Sequence, residues 1–124
     1  DKVEMLSDSK VIVTDYKTGK QKSRNFIEGK TKDGTGDIKR QLQFYKLLLR
    51  LHDNVDMKSG IIEFLEPNDA GNYSREKFEI TDNEVEELKK TIVRVAGEIT
   101  SLTFWNKTCE DKDCEYCRYR KLLK

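Results

Sequence analysis

Cysteine is scarce and poorly distributed for a disulfide framework. Only three are present, Cys109, Cys114 and Cys117, all in the last sixteen positions. An odd, clustered set of thiols argues against a secreted, cross-linked fold and for an intracellular, cytoplasmic origin. Long hydrophobic runs are missing too: none approaches the roughly 20 residues that a membrane-spanning helix needs. The first ten residues are mixed in charge and do not read as a signal peptide, so no membrane partner is expected. There is no internal repeat and no low-complexity segment. The chain opens on Asp rather than Met, which reads as a piece cut from something longer. Histidine occurs once, at His52 near the end of an expected helix.

What is present is enough for one domain with one modest core: 124 residues, 35% hydrophobic and 38% charged. That composition is polar, but the apolar positions are strongly patterned, which excludes disorder. The net charge of +1 hides a separation. Residues 17–40 carry eight bases against three acids, and residues 53–87 carry eleven acids against three bases. A basic segment beside an acidic one suits a protein with a polyanion-facing side. Two ordinary solvated surfaces would give the same counts.

Residues 2–6 and 10–16 are apolar-rich runs flanking Ser7-Asp8-Ser9, the pattern of an antiparallel hairpin. Residues 19–36 are basic, glycine-containing and aperiodic, and are expected to form one long loop. From Asp37 to His52 the spacing of Ile38, Leu42, Tyr45 and Leu49 predicts a helix. Two further strands follow, in "SGIIEFLE" and "YSREKFEI", joined by the turn-like "PNDAGN". Thr81-Asp82-Asn83-Glu84 has the form of a capping box. It opens a second helix whose apolar face is marked by Val85, Leu88, Ile92, Val95, Ala96, Ile99 and Leu102. The order predicts an α+β domain over residues 1–104, followed by a cysteine-bearing tail over 105–124.

One strand carries unusual residues. In "VIVTDYKTGK", residues 11–20, Asp15 and Lys17 project to the same side as Val11 and Val13, because strand side chains alternate. An acid and a base on a buried face are costly unless paired, metal-bound or catalytic. Folding the hairpin about Asp8 sets Met5 opposite Val11, Val3 opposite Val13 and Asp1 opposite Asp15. The apolar pairs fix that register, and it brings two carboxylates to a Cβ separation of roughly 5 Å. Like charges so placed destabilise a sheet unless a divalent cation sits between them. Magnesium suits the gap, since it takes oxygen ligands and keeps several waters. Lys17 could then orient a water or stabilise charge on a phosphate. A simple Asp15–Lys17 ion pair beside a loose terminus is the plainer alternative.

At these residues the sequence resembles the RecB-like branch of the PD-(D/E)xK nucleases. "DKVEML…VIVTDYKTGK" followed by "QLQFY" is similar to that branch's first acid, its D-Y-K-T-G segment and its Q-x-x-x-Y helix pair. Asp1 matches the first acid, Asp15 and Lys17 the D-x-K pair, and Gln41 and Tyr45 the helix pair. The match covers residues 1–45 well; beyond it only the order of elements agrees. The resemblance implies a restriction-endonuclease-like α/β core, a central mixed sheet flanked by helices. It implies Mg2+ or Mn2+ on Asp1, Asp15 and the carbonyl of Tyr16, catalytic assistance by Lys17, and DNA positioned by Gln41 and Tyr45. Lys20 and Lys22, with Arg24, Lys39 and Arg40, would add salt-sensitive, sequence-independent phosphate contacts.

The function so implied is DNA phosphodiester hydrolysis, in exonuclease style, within a helicase or recombination-repair protein of the prokaryotic nucleoid. The partner would be the helicase portion of a UvrD/Rep-type parent chain or a partner subunit. A catalytically silent DNA-binding or docking module of the same fold is the rival reading. The pattern departs from the family at two places. The helix that precedes the family's first strand has no counterpart here. Some relatives hold an iron–sulfur cluster on one early and three late cysteines, and this chain has only the late three. Zinc would likewise want a fourth ligand, and His52 reads as a helix-end residue instead. A metal-free tail is therefore expected, with an interaction domain stabilised by metal at Cys109, Cys114 and Cys117 as a further rival.

Overall fold

The computed structural model describes residues 1–52, 54–106, 109, 111 and 113–122. It divides into two compact units, residues 1–89 and 90–124. The first holds a four-stranded sheet in the order β1-β2-β3-β4, with β1 at Lys2–Ser7, β2 at Lys10–Lys17, β3 at Asp56–Phe64 and β4 at Arg75–Phe78. β1 pairs antiparallel with β2, β2 parallel with β3, and β3 antiparallel with β4. A parallel pair needs a crossover. Here the chain between β2 and β3 supplies it with two helices, α1 (Arg24–Ile27) and α2 (Asp37–His52). The result is a mixed sheet flanked by helices, as the resemblance implies.

The hairpin register is the expected one. Val3 faces Val13 and Met5 faces Val11, with an irregularity only between Met5 and Ser7. Val11, Val13, Met57, Ile62 and Phe64 from β2 and β3 enter one core with Leu42 and Leu47 of α2 and Phe78 of β4. Gly60 of β3 sets how closely α2 can approach. A Cβ built there would stand 2.8 Å from both methyl carbons of the fully buried Leu42. β1 is an edge strand with little cover: Val3 is 54% and Met5 60% exposed.

Two expectations need correction. Residues 19–36 are not one irregular loop. Ser23 caps α1 by accepting the Phe26 N–H at 3.3 Å, and Ile27 is fully buried in the core. After α1 the backbone doubles back so tightly that a Cβ on Gly29 would lie 2.9 Å from the amide nitrogen of Gly36. Both glycines have positive φ, 73° and 70°, where a side chain is strained. The second correction concerns α3 (Asp82–Thr100). Its capping box forms as expected: Thr81 N–H donates to Glu84 Oε2 at 2.8 Å, and Glu84 N–H to Thr81 Oγ1 at 3.2 Å. Yet only Val85 and Leu88 of the apolar stripe are buried, while Ile92, Val95, Ile99 and Leu102 stay substantially exposed.

The second unit contains the remainder of α3, a 3-10 turn at Thr103–Asn106 and α4 (Glu115–Leu122). Among the described residues no helix is long and apolar enough to cross a membrane.

Candidate active site

The end of β2 brings the singled-out residues together. Asp15 is 3% exposed, and its Oδ2 lies 2.8 Å from Lys17 Nζ. The contact is ionic and poorly directed, for that buried oxygen has no hydrogen bond of acceptable geometry. Lys17 Nζ also donates to Gln41 Oε1 on α2, so the ammonium is held between a strand carboxylate and a helix amide. Asp1 precedes β1, and its carboxylate turns toward the same strand end. Its Oδ1 accepts the Tyr16 N–H at 3.3 Å, and its Oδ2 accepts the Tyr45 hydroxyl at 2.5 Å.

Tyr45 reports on both acids. It bonds directly to Asp1, and its phenol is held above the usual range, first by burial and then by the negative charge of Asp15. Gln41 and Tyr45 are four residues apart and thus neighbours on one face of α2. The seating of Leu42 against Gly60 anchors the same helical turn on the sheet. All five residues, Asp1, Asp15, Lys17, Gln41 and Tyr45, are therefore tied by three side-chain contacts and one main-chain contact. Beside them runs an apolar cleft of about 390 Å³, lined by Asp1, Val3, Val13, Tyr45, Leu48, Leu49 and His52.

The basic residues fare unequally. Lys20 and Lys22 are exposed just past β2, with Lys22 Nζ 4.8 Å from the centre of the Phe26 ring. Arg24 is committed to structure: it contacts Glu76 at 2.9 Å, Glu28 at 3.4 Å and the Lys77 carbonyl at 3.0 Å, and covers the Phe78 ring. Lys39 is tied to Glu84 at 2.6 Å, and Arg40 donates to the Thr35 carbonyl at 3.2 Å. Sequence reasoning gave Lys46 no role. Its buried Nζ donates to the Ile80 carbonyl at 2.5 Å, with Asp82 at 3.5 Å. Nothing in the helical pattern marks it, because a lysine at a core-facing position reads as an interruption.

In the second unit the three cysteine sulfurs lie within 4.8 Å of one another. Among the described residues this is the only group of three or more His, Cys, Asp or Glu side chains with such convergence. Cys109 and Cys117 are closest, at 3.3 Å. Hydrogen bonding to Cys114 and Cys117 pushes the Cys109 thiol up to about 11, while bonding to Cys109 lowers that of Cys117.

A family model described as the PD-(D/E)XK nuclease superfamily matches residues 1–122. Comparison with curated proteins and with solved structures finds no match. Members of that superfamily are usually nucleases, hydrolysing nucleic-acid phosphodiesters and typically using Mg2+ or Mn2+. The residues at the end of β2 fit such an ion: a buried carboxylate oxygen without a directed hydrogen bond is an available hard ligand. With the match running almost the full length, the chain belongs to the PD-(D/E)XK nuclease superfamily.

Proposed function

We propose that the chain is the metal-dependent deoxyribonuclease domain of a RecB-like repair or recombination protein. The superfamily supplies the coarse activity, hydrolysis of nucleic-acid phosphodiesters. The observation that carries the finer reading is the knot of side chains at the end of β2, where Asp15 is buried beside Lys17 and Asp1 is held nearby by Tyr45. Asp1, Asp15 and the Tyr16 carbonyl would hold Mg2+ or Mn2+. Once bound, that ion polarises the phosphoryl group and lowers the pKa of a water.

The chain's own residues do the rest. Asp15, out of water, presents a carboxylate whose charge is little screened. Lys17 places an ammonium where negative charge develops on the phosphate, and Gln41 fixes its direction. Tyr45 fixes the rotamer of Asp1 by donating to Oδ2. Gln41 and Tyr45 thus act as positioning residues, and in this reading they would also help hold the passing strand. Lys20 and Lys22, exposed beyond the catalytic strand, would grip backbone phosphates without reading sequence. Among the described residues no element resembles a base-reading helix, which suits an exonuclease mode better than site recognition. The helicase association rests on the D-Y-K-T-G and Q-x-x-x-Y resemblance alone.

End-labelled DNA incubated with the chain, and with a form extended upstream of Asp1, tests the reading. Cleavage should appear with Mn2+ or Mg2+ and vanish in Asp15→Ala. DNA binding without cleavage under any divalent ion would instead favour a silent docking module.

A further inference from the structure

We propose that Gln21 is a positioning residue for DNA binding, pinning the basic segment after β2 to the β3–β4 turn and so fixing Lys20 and Lys22. The inference rests on the proposed reading of those two lysines as phosphate contacts, and gives a role to a residue outside the cluster at the strand end.

The segment between β2 and α1 has little else to hold it. The Leu65 N–H donates to the Lys17 carbonyl at 2.9 Å, and order resumes at Ser23, the cap of α1. Between these points, among the described residues, residues 18–22 form no main-chain hydrogen bond. A Cβ built on Gly19 would meet nothing within 4 Å, so this glycine serves no close contact and adds backbone freedom. Gln21 supplies the missing tie. Its Nε2 donates to the Glu66 carbonyl at 3.0 Å and to the Asn72 carbonyl at 2.7 Å.

Both acceptors belong to a turn that keeps its own shape. The Asn68 N–H donates to the same Asn72 carbonyl at 2.9 Å. The Asn68 side-chain oxygen accepts the Ala70 and Asn72 N–H groups at 3.0 and 2.9 Å, and Gly71 takes a positive φ of 78°. Residues 65–74 include Glu66 and Asp69 and no base, so the turn offers a phosphate nothing directly. Its position is what counts. It follows Phe64, the β3 partner of Lys17, so Gln21 ties the basic segment to the end of the sheet that carries Asp15 and Lys17.

Lys20 and Lys22 flank Gln21 and are both exposed. Long cations on a loose segment must be ordered as they bind, and that ordering costs affinity. Holding residue 21 removes part of the cost for both neighbours, and Lys22 is steadied again by the Phe26 ring, 4.8 Å away.

Anisotropy of a fluorescein-labelled single-stranded oligonucleotide tests this on the whole chain, at low salt and without divalent ion so that no strand is cut. Gln21→Met keeps the side-chain length and removes both donors. It should weaken binding about 3- to 10-fold, the cost of ordering one or two long side chains. In a chain already carrying Lys20→Ala and Lys22→Ala it should have no further effect, because groups that act through one another are not additive. Amide hydrogen exchange over residues 18–22 of the free protein should quicken in Gln21→Met. Should the doubly substituted chain bind too weakly to read, that exchange decides. Equal binding by Gln21→Met and the unaltered chain would overturn the proposal. So would unchanged exchange, or a loss of binding that persists without the two lysines. Metal-dependent cleavage scores the nuclease reading separately. Coupling without cleavage leaves the tie standing in a silent binding module, and cleavage without coupling removes the tie and keeps the nuclease.

Discussion

Tyr45 shows how much one hydroxyl can matter at the residue scale. Its hydrogen bond to Asp1 is the only side-chain tie described for that carboxylate. Tyr45→Phe removes the donor and leaves the ring in place. Groups that orient metal ligands typically matter 10–100-fold, so Tyr45→Phe should weaken Mn2+-dependent cleavage by about that factor while thermal stability changes little. A metal titration of the activity checks it. Lys46 makes the opposite case, structural and unforeseen. Lys46→Met would strand the Ile80 carbonyl and leave Asp82 with one partner fewer. The expected loss is about 1–3 kcal/mol of unfolding free energy in urea, the usual cost of an orphaned buried acceptor. Asp15 and Lys17 were legible because polar side chains at buried strand positions violate the alternation. The Asp1–Tyr45 bond was not, because it depends on how α2 lies across the sheet, which no local pattern encodes.

Elements divide along the same line. α2 and α3 span 16 and 19 residues, long enough for their periodicity to specify them, with a capping box besides at the start of α3. α1 has four residues, too few to show a period, and its burial at Ile27 comes from tertiary packing. The α3 capping box is open to direct measurement. Thr81→Ala should cost about 1 kcal/mol. Glu84 is the charged half of the box. Burial alone would raise its carboxyl, but Lys39 and the Thr81 hydrogen bonds outweigh that and hold it below the usual range. A depressed folded value means its contribution is present above the unfolded pKa and lost as pH falls through the folded one. The destabilisation by Glu84→Gln should therefore be seen at pH 7 and shrink as pH falls below about 4, as read by urea midpoints. Packing of α2 on β3 gives another handle. Gly60→Val puts branched carbon where Leu42 already sits, and overpacking of this kind costs about 1–3 kcal/mol. A fall in denaturation midpoint should be accompanied by lost cleavage, because α2 carries Gln41 and Tyr45.

For the molecule as a whole, the segregated charge in the sequence acquires a different meaning. Much of it is internal: Arg24 meets Glu76, Lys39 meets Glu84, and Arg50 bridges Asp56 and Asp82. Bases of the crossover are neutralised by acids from β3, β4 and the start of α3, which leaves fewer cations for a polyanion than the count suggests. In the proposed function, Lys20 and Lys22, exposed past the end of β2, are the cations expected to meet the backbone phosphates. The account thus stands or falls on whether that strand end is a metal centre. Calorimetric titration of Mn2+ into the purified chain tests it most directly. Binding is predicted for the unaltered protein and for Tyr45→Phe at reduced affinity, and its loss is predicted in Asp15→Asn with the fold intact by circular dichroism. Equal Mn2+ binding by Asp15→Asn and the unaltered chain would contradict it.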